Sequence, residues 1–205
     1  MAAPLGAPGR RRPGRCAFRG GPRTGARGGP PHDTIWVDKG TQGNRKEDDM
    51  GYTHHFSELV ADEALAEDTR TIIEAAERLG IAVRGGDGTG EPIVTPQLIA
   101  LNGDAEEGLD HETFYLSDRP RPFGCMNFCK TVRKPYDAVV VAILIDAVVT
   151  ERQGWESIGS DGTWQDWSTP QNEGLPSGLA LYEEAFGRLG KRDEKRIRRL
   201  LGDEG

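Results

Sequence analysis

Residues 130–137, Lys130-Thr131-Val132-Arg133-Lys134-Pro135-Tyr136-Asp137, place three cations, a hydroxyl and a phenol before or inside the first turn of an apolar run. A helix start projects unpaired N–H groups and partial positive charge, and so favours an anion. Cations gathered at that end repel it, and a bound phosphate or carboxylate would relieve the repulsion. The pattern predicts an anion site. Arg133 would grip a planar ligand through two N–H groups, and Lys130 or Lys134 would add a point charge. Thr131 would donate its hydroxyl and Tyr136 would wall the site. In the competing reading Asp137 supplies the counter-charge and the cations pair with the acidic body.

His54, His111 and Cys129 carry side chains that could act as acid, base or nucleophile near Lys130 and Arg133. Together with His55 and Cys125 they include the ligand types zinc prefers. The spacing argues against a zinc site, because Cys125-x3-Cys129 would supply one ligand pair and no second Cys/His pair lies at a matching interval. Adjacent His54 and His55 would point to opposite faces of a strand. Neither a structural metal nor a cofactor is expected.

Asp87, Glu91, Asp104, Glu106, Glu107 and Asp110 crowd two expected turns, where paired carboxylates could hold a divalent cation. Solvated acidic turns are the commoner explanation. Gly85-Gly86-Asp87-Gly88-Thr89 resembles a fingerprint of diacylglycerol kinases and NAD kinases over five residues. Those families continue into a helix, whereas Glu91-Pro92 and a strand-like stretch follow here, so a hairpin turn is the alternative. Trp155, Trp164 and Trp167 could stack on bases or sugars, or sit partly buried in the body.

A wider resemblance joins several of these residues. Met50 to Phe56, Asn102-Gly103-Asp104 with His111 to Phe114, Phe128 to Asp137, and Ser160-Asp161-Gly162 with Trp164 resemble a family of small proteins of actinobacteria and their phages. The similarity covers residues 50–189. His55 stands where that family carries an aromatic residue, and Cys125-Met126-Asn127 looks like an insertion, which sets Cys125 outside any shared site. The resemblance implies a shape and a phage-related setting, and brings no mechanism.

These residues need a scaffold. From Ala138 to Val149 only Asp146 is polar, so a helix over about 135–150 would be apolar all round and must lie in a core. Pro135 suits its first turn. Ahead of it, residues 51–56 read as a strand. Ser57 could cap a helix carrying Leu65, Ile72, Ala76 and Leu79, which ends at Gly80. Strands are expected at 81–83, 92–95, 98–101, 111–116 and 155–158, with a closing helix at 179–189. Strands joined by short turns point to an antiparallel sheet. The expected class is α+β: mainly antiparallel sheet with two or three helices and one central buried helix.

Three segments differ in composition. Residues 1–32 contain 8 Gly, 6 Pro, 7 Arg and 5 Ala, a mixture too poor in apolar surface to fold. Lys46-Glu47-Asp48-Asp49 before Met50 permits the codons AAG-GAG-GAC-GAC, a bacterial ribosome-binding sequence ahead of a start. Residues 1–49 are therefore expected to be an extension with a mis-assigned start; a polyanion-binding Arg-Gly tail is the rival. Residues 50–190 would form a single domain and 191–205 a charged C-terminal tail.

The extension carries a net charge of +5 and residues 50–205 carry −12. An acidic body disfavours nucleic acid unless a local basic patch overrides it. Three cysteines and the lack of a span-length apolar run favour a soluble, reducing cytoplasm with no membrane. The first functional expectation is a cytoplasmic binding or accessory protein for an anionic small molecule or phosphate group, with a protein partner possible. The second is a small enzyme acting on a phosphorylated ligand. The third is an acidic inhibitor of a host nucleic-acid-binding protein. Intact-mass measurement of natively expressed protein is expected to give a chain beginning at Met50; a product retaining Trp36 would end that reading.

Overall fold

The computed structural model describes residues 52–120 and 127–203 of the 205-residue chain. The expected extension, residues 1–49, and Cys125 lie outside the described residues. The fold is α+β, with two small antiparallel sheets and five helices among the described residues.

The most apolar segment decides the architecture. Helix α2, Asp137–Val149, buries every residue from Asp137 to Val148, as a helix apolar on all faces must. Around it pack α1 (Glu63–Arg78), α4 (Gly178–Phe186) and α5 (Lys191–Leu200). α1 is amphipathic: Leu65, Thr69, Ile72 and Ala76 recur at helical spacing on its buried face. Its cap is Asp62, whose carboxylate accepts from Leu65 N–H at 2.7 Å, rather than the expected Ser57. α4 approaches α2 at Gly178, where a Cβ would collide with Val141.

One sheet has the order β5 (Phe128–Lys130), β1 (Thr53–Phe56), β6 (Ile158–Ser160), with His54 opposite both Cys129 and Ser160. The other runs β2 (Ile93–Thr95), β3 (Leu98–Leu101), β4 (Phe114–Ser117). Phe56 of the first and Phe114 of the second meet with ring centroids 5.0 Å apart.

Several local expectations change. Residues 81–83 form no strand; Ile81 and Val83 are buried, and the pairing is a single bridge from Arg84 to Asn102. Trp155–Ser157 is a 3-10 turn leading into β6, and a short helix α3, Trp164–Ser168, follows. The segment expected as a charged tail is α5, which buries Ile197 and rests Leu200 and Leu201 on the core. Among the described residues no helix is long and apolar enough to cross a membrane.

Asp146 is the polar exception inside α2 and is buried. Burial raises its carboxyl to about 7, and the neighbouring Asp68 of α1 adds to this; Arg152 acts in the opposite direction. Asp62 also raises it, and Tyr182 of α4 shares the cluster. The folded chain therefore keeps a proton that the unfolded chain loses near pH 4. The associated stability is fully present below about pH 4 and is lost as pH rises through about 7. Asp146→Asn should stabilise the protein at pH 8 by on the order of a few kcal/mol and have little effect at pH 4. Denaturant unfolding at the two pH values measures this; equal effects at both would refute it.

Candidate functional site

The link from β5 to α2 is short and carries an unusual backbone. Val132 and Arg133 are consecutive non-glycine residues at φ +52° and +54°. The left-handed region costs roughly 1–2 kcal/mol per residue, and it is least natural for a β-branched one. Surrounding bonds fix the turn. Thr131 N–H donates to Tyr52 carbonyl oxygen, Lys134 N–H to Thr131, and Asn172 Nδ2 to Arg133 carbonyl at 3.0 Å.

Beneath the turn lies a buried carboxylate. Asp137, at the first turn of α2, accepts from Thr131 Oγ1 and from His54 Nε2 at 2.8 Å. The carboxylate sits at the positive end of the helix and has two donors, so its burial is compensated. Because a carboxylate only accepts, Nε2 of His54 carries the proton of this bond. His54 is fully buried between Tyr52, edge-on at 5.1 Å, and Trp167 at 5.8 Å. His54 Nδ1 and Trp167 Nε1 are buried without a hydrogen-bond partner among the described residues.

Arg133 closes this cluster from outside. Its guanidinium lies 4.1 Å from the Tyr52 ring centroid, and Nη2 is 3.5 Å from Asp166 Oδ1. About a third of the side chain is exposed. Burial alone would raise the Asp166 carboxyl; bonds from Thr163 and the Arg133 charge outweigh it and hold it below the usual range. Burial, with the Asp137 and Asp166 charges, pushes the Tyr52 phenol far above its usual range, so it stays neutral. Tyr52 also packs on Gly162, where any Cβ would strike its ring. That contact explains the glycine of the Ser160-Asp161-Gly162 turn.

Of the residues singled out from sequence, His54, Thr131 and Arg133 converge here. The other five go elsewhere. Lys134 Nζ donates to Gly108 carbonyl at 2.8 Å. Tyr136 is a core residue whose hydroxyl donates to Glu112 carbonyl, so it does not wall a site. Cys129 is buried, donates weakly to Glu112 carbonyl, and has its thiol pushed up by burial, which leaves no thiolate. His111 is exposed and its Nδ1–H donates to Lys130 carbonyl at 2.7 Å. Lys130 N–H donates to Glu112 Oε2, so this strand contributes its backbone.

The expected free amides at the start of α2 are also occupied: Asp137, Ala138 and Val139 N–H donate to Lys134, Pro135 and Tyr136 carbonyls. Tyr52, Asp166, Trp167 and Asn172 are members of the cluster that sequence reasoning did not assign to it. The spacing Thr163-x-x-Asp166, a capping box in the structure, is the signal that could have located Asp166.

The remaining candidates separate. Among the described residues no three His, Cys, Asp or Glu side chains could share a metal ion. Asp104 bonds Arg84 and the amides of Glu106 and Glu107, and Asp87 bonds Thr89. The glycine loop is a turn leading into β2, not into a helix. Trp164 and Trp167 are buried, while Trp155 lies beneath Arg196. Comparison with protein-family models, curated proteins and solved structures gives no match.

If the Val132–Arg133 turn is strained, Val132→Gly should leave stability unchanged or raise it by up to about 1 kcal/mol, relief of the left-handed cost exceeding the lost unfolded-state restriction. Denaturant unfolding tests this, and a loss above about 1 kcal/mol would contradict it.

Proposed function

We propose that the protein is a binding or accessory protein whose ligand is a phosphate- or carboxylate-bearing molecule engaging Arg133 beside Tyr52, at the approach to α2. The observation that supports this most is the pair of left-handed non-glycine residues that holds Arg133 outward. Strained backbone persists only where surroundings over-determine it, and it concentrates at ligand sites. Arg133 is held by a ring face and by one long contact to Asp166, so its other N–H groups can serve a planar anion.

This reading differs in detail from an open helix-end cradle. The helix amides and Asp137 are engaged internally, so the ligand contact rests on the guanidinium. Lys134 and Lys130 stand back as more distant charges. An actinobacterial or phage cytoplasm is the setting proposed with it. The enzyme alternative has one supporting feature, the His54–Asp137 pair, with His54 Nδ1 unpartnered among the described residues. That nitrogen is buried, away from the surface, which favours binding over catalysis.

Phosphate, sulfate or a small polycarboxylate should raise the melting temperature in a concentration-dependent way, the stabilisation reaching about 2.7 kcal/mol at a hundredfold excess over Kd. Arg133→Ala should abolish the shift and change ligand-free stability by no more than about 1 kcal/mol. A screen of such anions without a concentration-dependent shift, or a shift that survives Arg133→Ala, would refute the site.

A further inference from the structure

We propose that α5 carries a second, separate binding face, for single-stranded nucleic acid. Its inward residues are committed to the fold. Ile197 is fully buried, Arg196 donates to Val148 carbonyl and pairs with Glu151, and Arg198 lies 5.0 Å from the Trp164 ring centroid. The two acids of the helix are also taken, Asp193 by Arg196 at 3.5 Å and Glu194 by Arg198 at 2.9 Å. The outward face is basic. Lys191, Arg192, Lys195 and Arg199 are the exposed residues of α5. At 3.6 residues per turn they lie within an arc of roughly 100° and span about 12 Å.

The ridge is unusual for its surroundings. Residues 50–205 carry a net charge of −12, so carboxylates are plentiful. Yet Lys191, Arg192, Lys195 and the preceding Arg188 make no ion pair among the described residues. Like charges on one helix face repel, and a phosphate backbone neutralises such a row while releasing its counterions.

A cleft of about 620 Å³ adjoins the ridge, lined by Trp164, Leu179 and Leu189, by Arg188 and Lys191, and by the carboxylates Glu183 and Glu194, of which Glu194 is paired with Arg198 and Glu183 accepts from Leu189 N–H. Lys191 thus belongs to both features. A strand lying along α5 can turn an unpaired base into this cleft, which a duplex, with its bases stacked inside, cannot do. That geometry selects a single strand.

The test is fluorescence anisotropy of a labelled 20-nucleotide oligothymidine with the full chain, over a range of salt concentrations. The combined variant Lys191→Glu, Arg192→Glu, Lys195→Glu should weaken binding at least tenfold at low salt. It should also flatten the logarithmic salt slope by about two, since each phosphate contact on a single strand contributes about 0.7. Acidic residues early in a helix are compatible with its dipole, and circular dichroism verifies the fold. The milder Arg192→Gln, Lys195→Gln pair should still weaken binding about threefold or more. Arg133→Ala should leave it unchanged, which separates this face from the small-anion site. Binding that persists in the triple variant, as the arginine-rich residues 1–32 would produce, overturns the proposal. So does equal competition by polyglutamate or by a duplex of the same length, or the absence of salt-dependent binding.

Discussion

A helix apolar on every face cannot lie at a surface, and α2 obliges the rest of the chain to enclose it. α1, α4 and α5 cover it, and at its start it meets the sheet built on β1. Enclosure creates a problem at its two acids. Both Asp137 and Asp146 are buried, and an ionised carboxylate without compensation is costly there. The protein handles them differently. Asp137 sits at the positive end of the helix with two donors, whereas Asp146, in mid-helix beside Asp68, holds a proton to near neutral pH.

The candidate site follows from the first solution. For Asp137 to be partnered, His54 of β1 and Thr131 after β5 must reach the helix start together. Thr131 then faces inward, and the chain has only the next few residues in which to reverse and enter α2. The left-handed pair Val132–Arg133 makes that reversal, and it leaves the Arg133 side chain outside, over Tyr52. A buried carboxylate and an outward guanidinium are thus two ends of one arrangement. Gly162 takes part from a third segment, since Tyr52 can occupy its place only where no Cβ stands.

The sequence revealed what has a strong local signature. The central helix was legible because no other stretch is so apolar at helical length, and β2 and β3 because a short turn joins two apolar runs. α1 was legible in its periodicity, though the cap fell on Asp62 because Ser57 belongs to the turn leaving β1. α5 was hidden by its charge: Ile197 is the only buried residue in its ten, too little periodicity to distinguish a docked helix from a tail. α3 and β5 were too short to register. At the site, Thr131, His54 and Arg133 were visible as reactive types in one neighbourhood. The burial of Tyr136, and the internal use of the α2 amides, depend on turn bonds and backbone angles that residue types do not encode.

The two proposed cationic sites differ physically, and so would suit different ligands. Arg133 is a single group fixed by a strained turn, a ring and a carboxylate, so little freedom is lost when it meets an anion. Fixed geometry rewards a ligand of matching shape. The α5 ridge is instead made of long, exposed side chains next to a cleft lined in part by Trp164, Leu179 and Leu189. It rewards a ligand with repeated charge and a flat apolar part, through counterion release rather than fit. A free phosphate would gain little from the ridge, and a polymer would gain little from one guanidinium beside Asp166. Their selectivities therefore need not interfere.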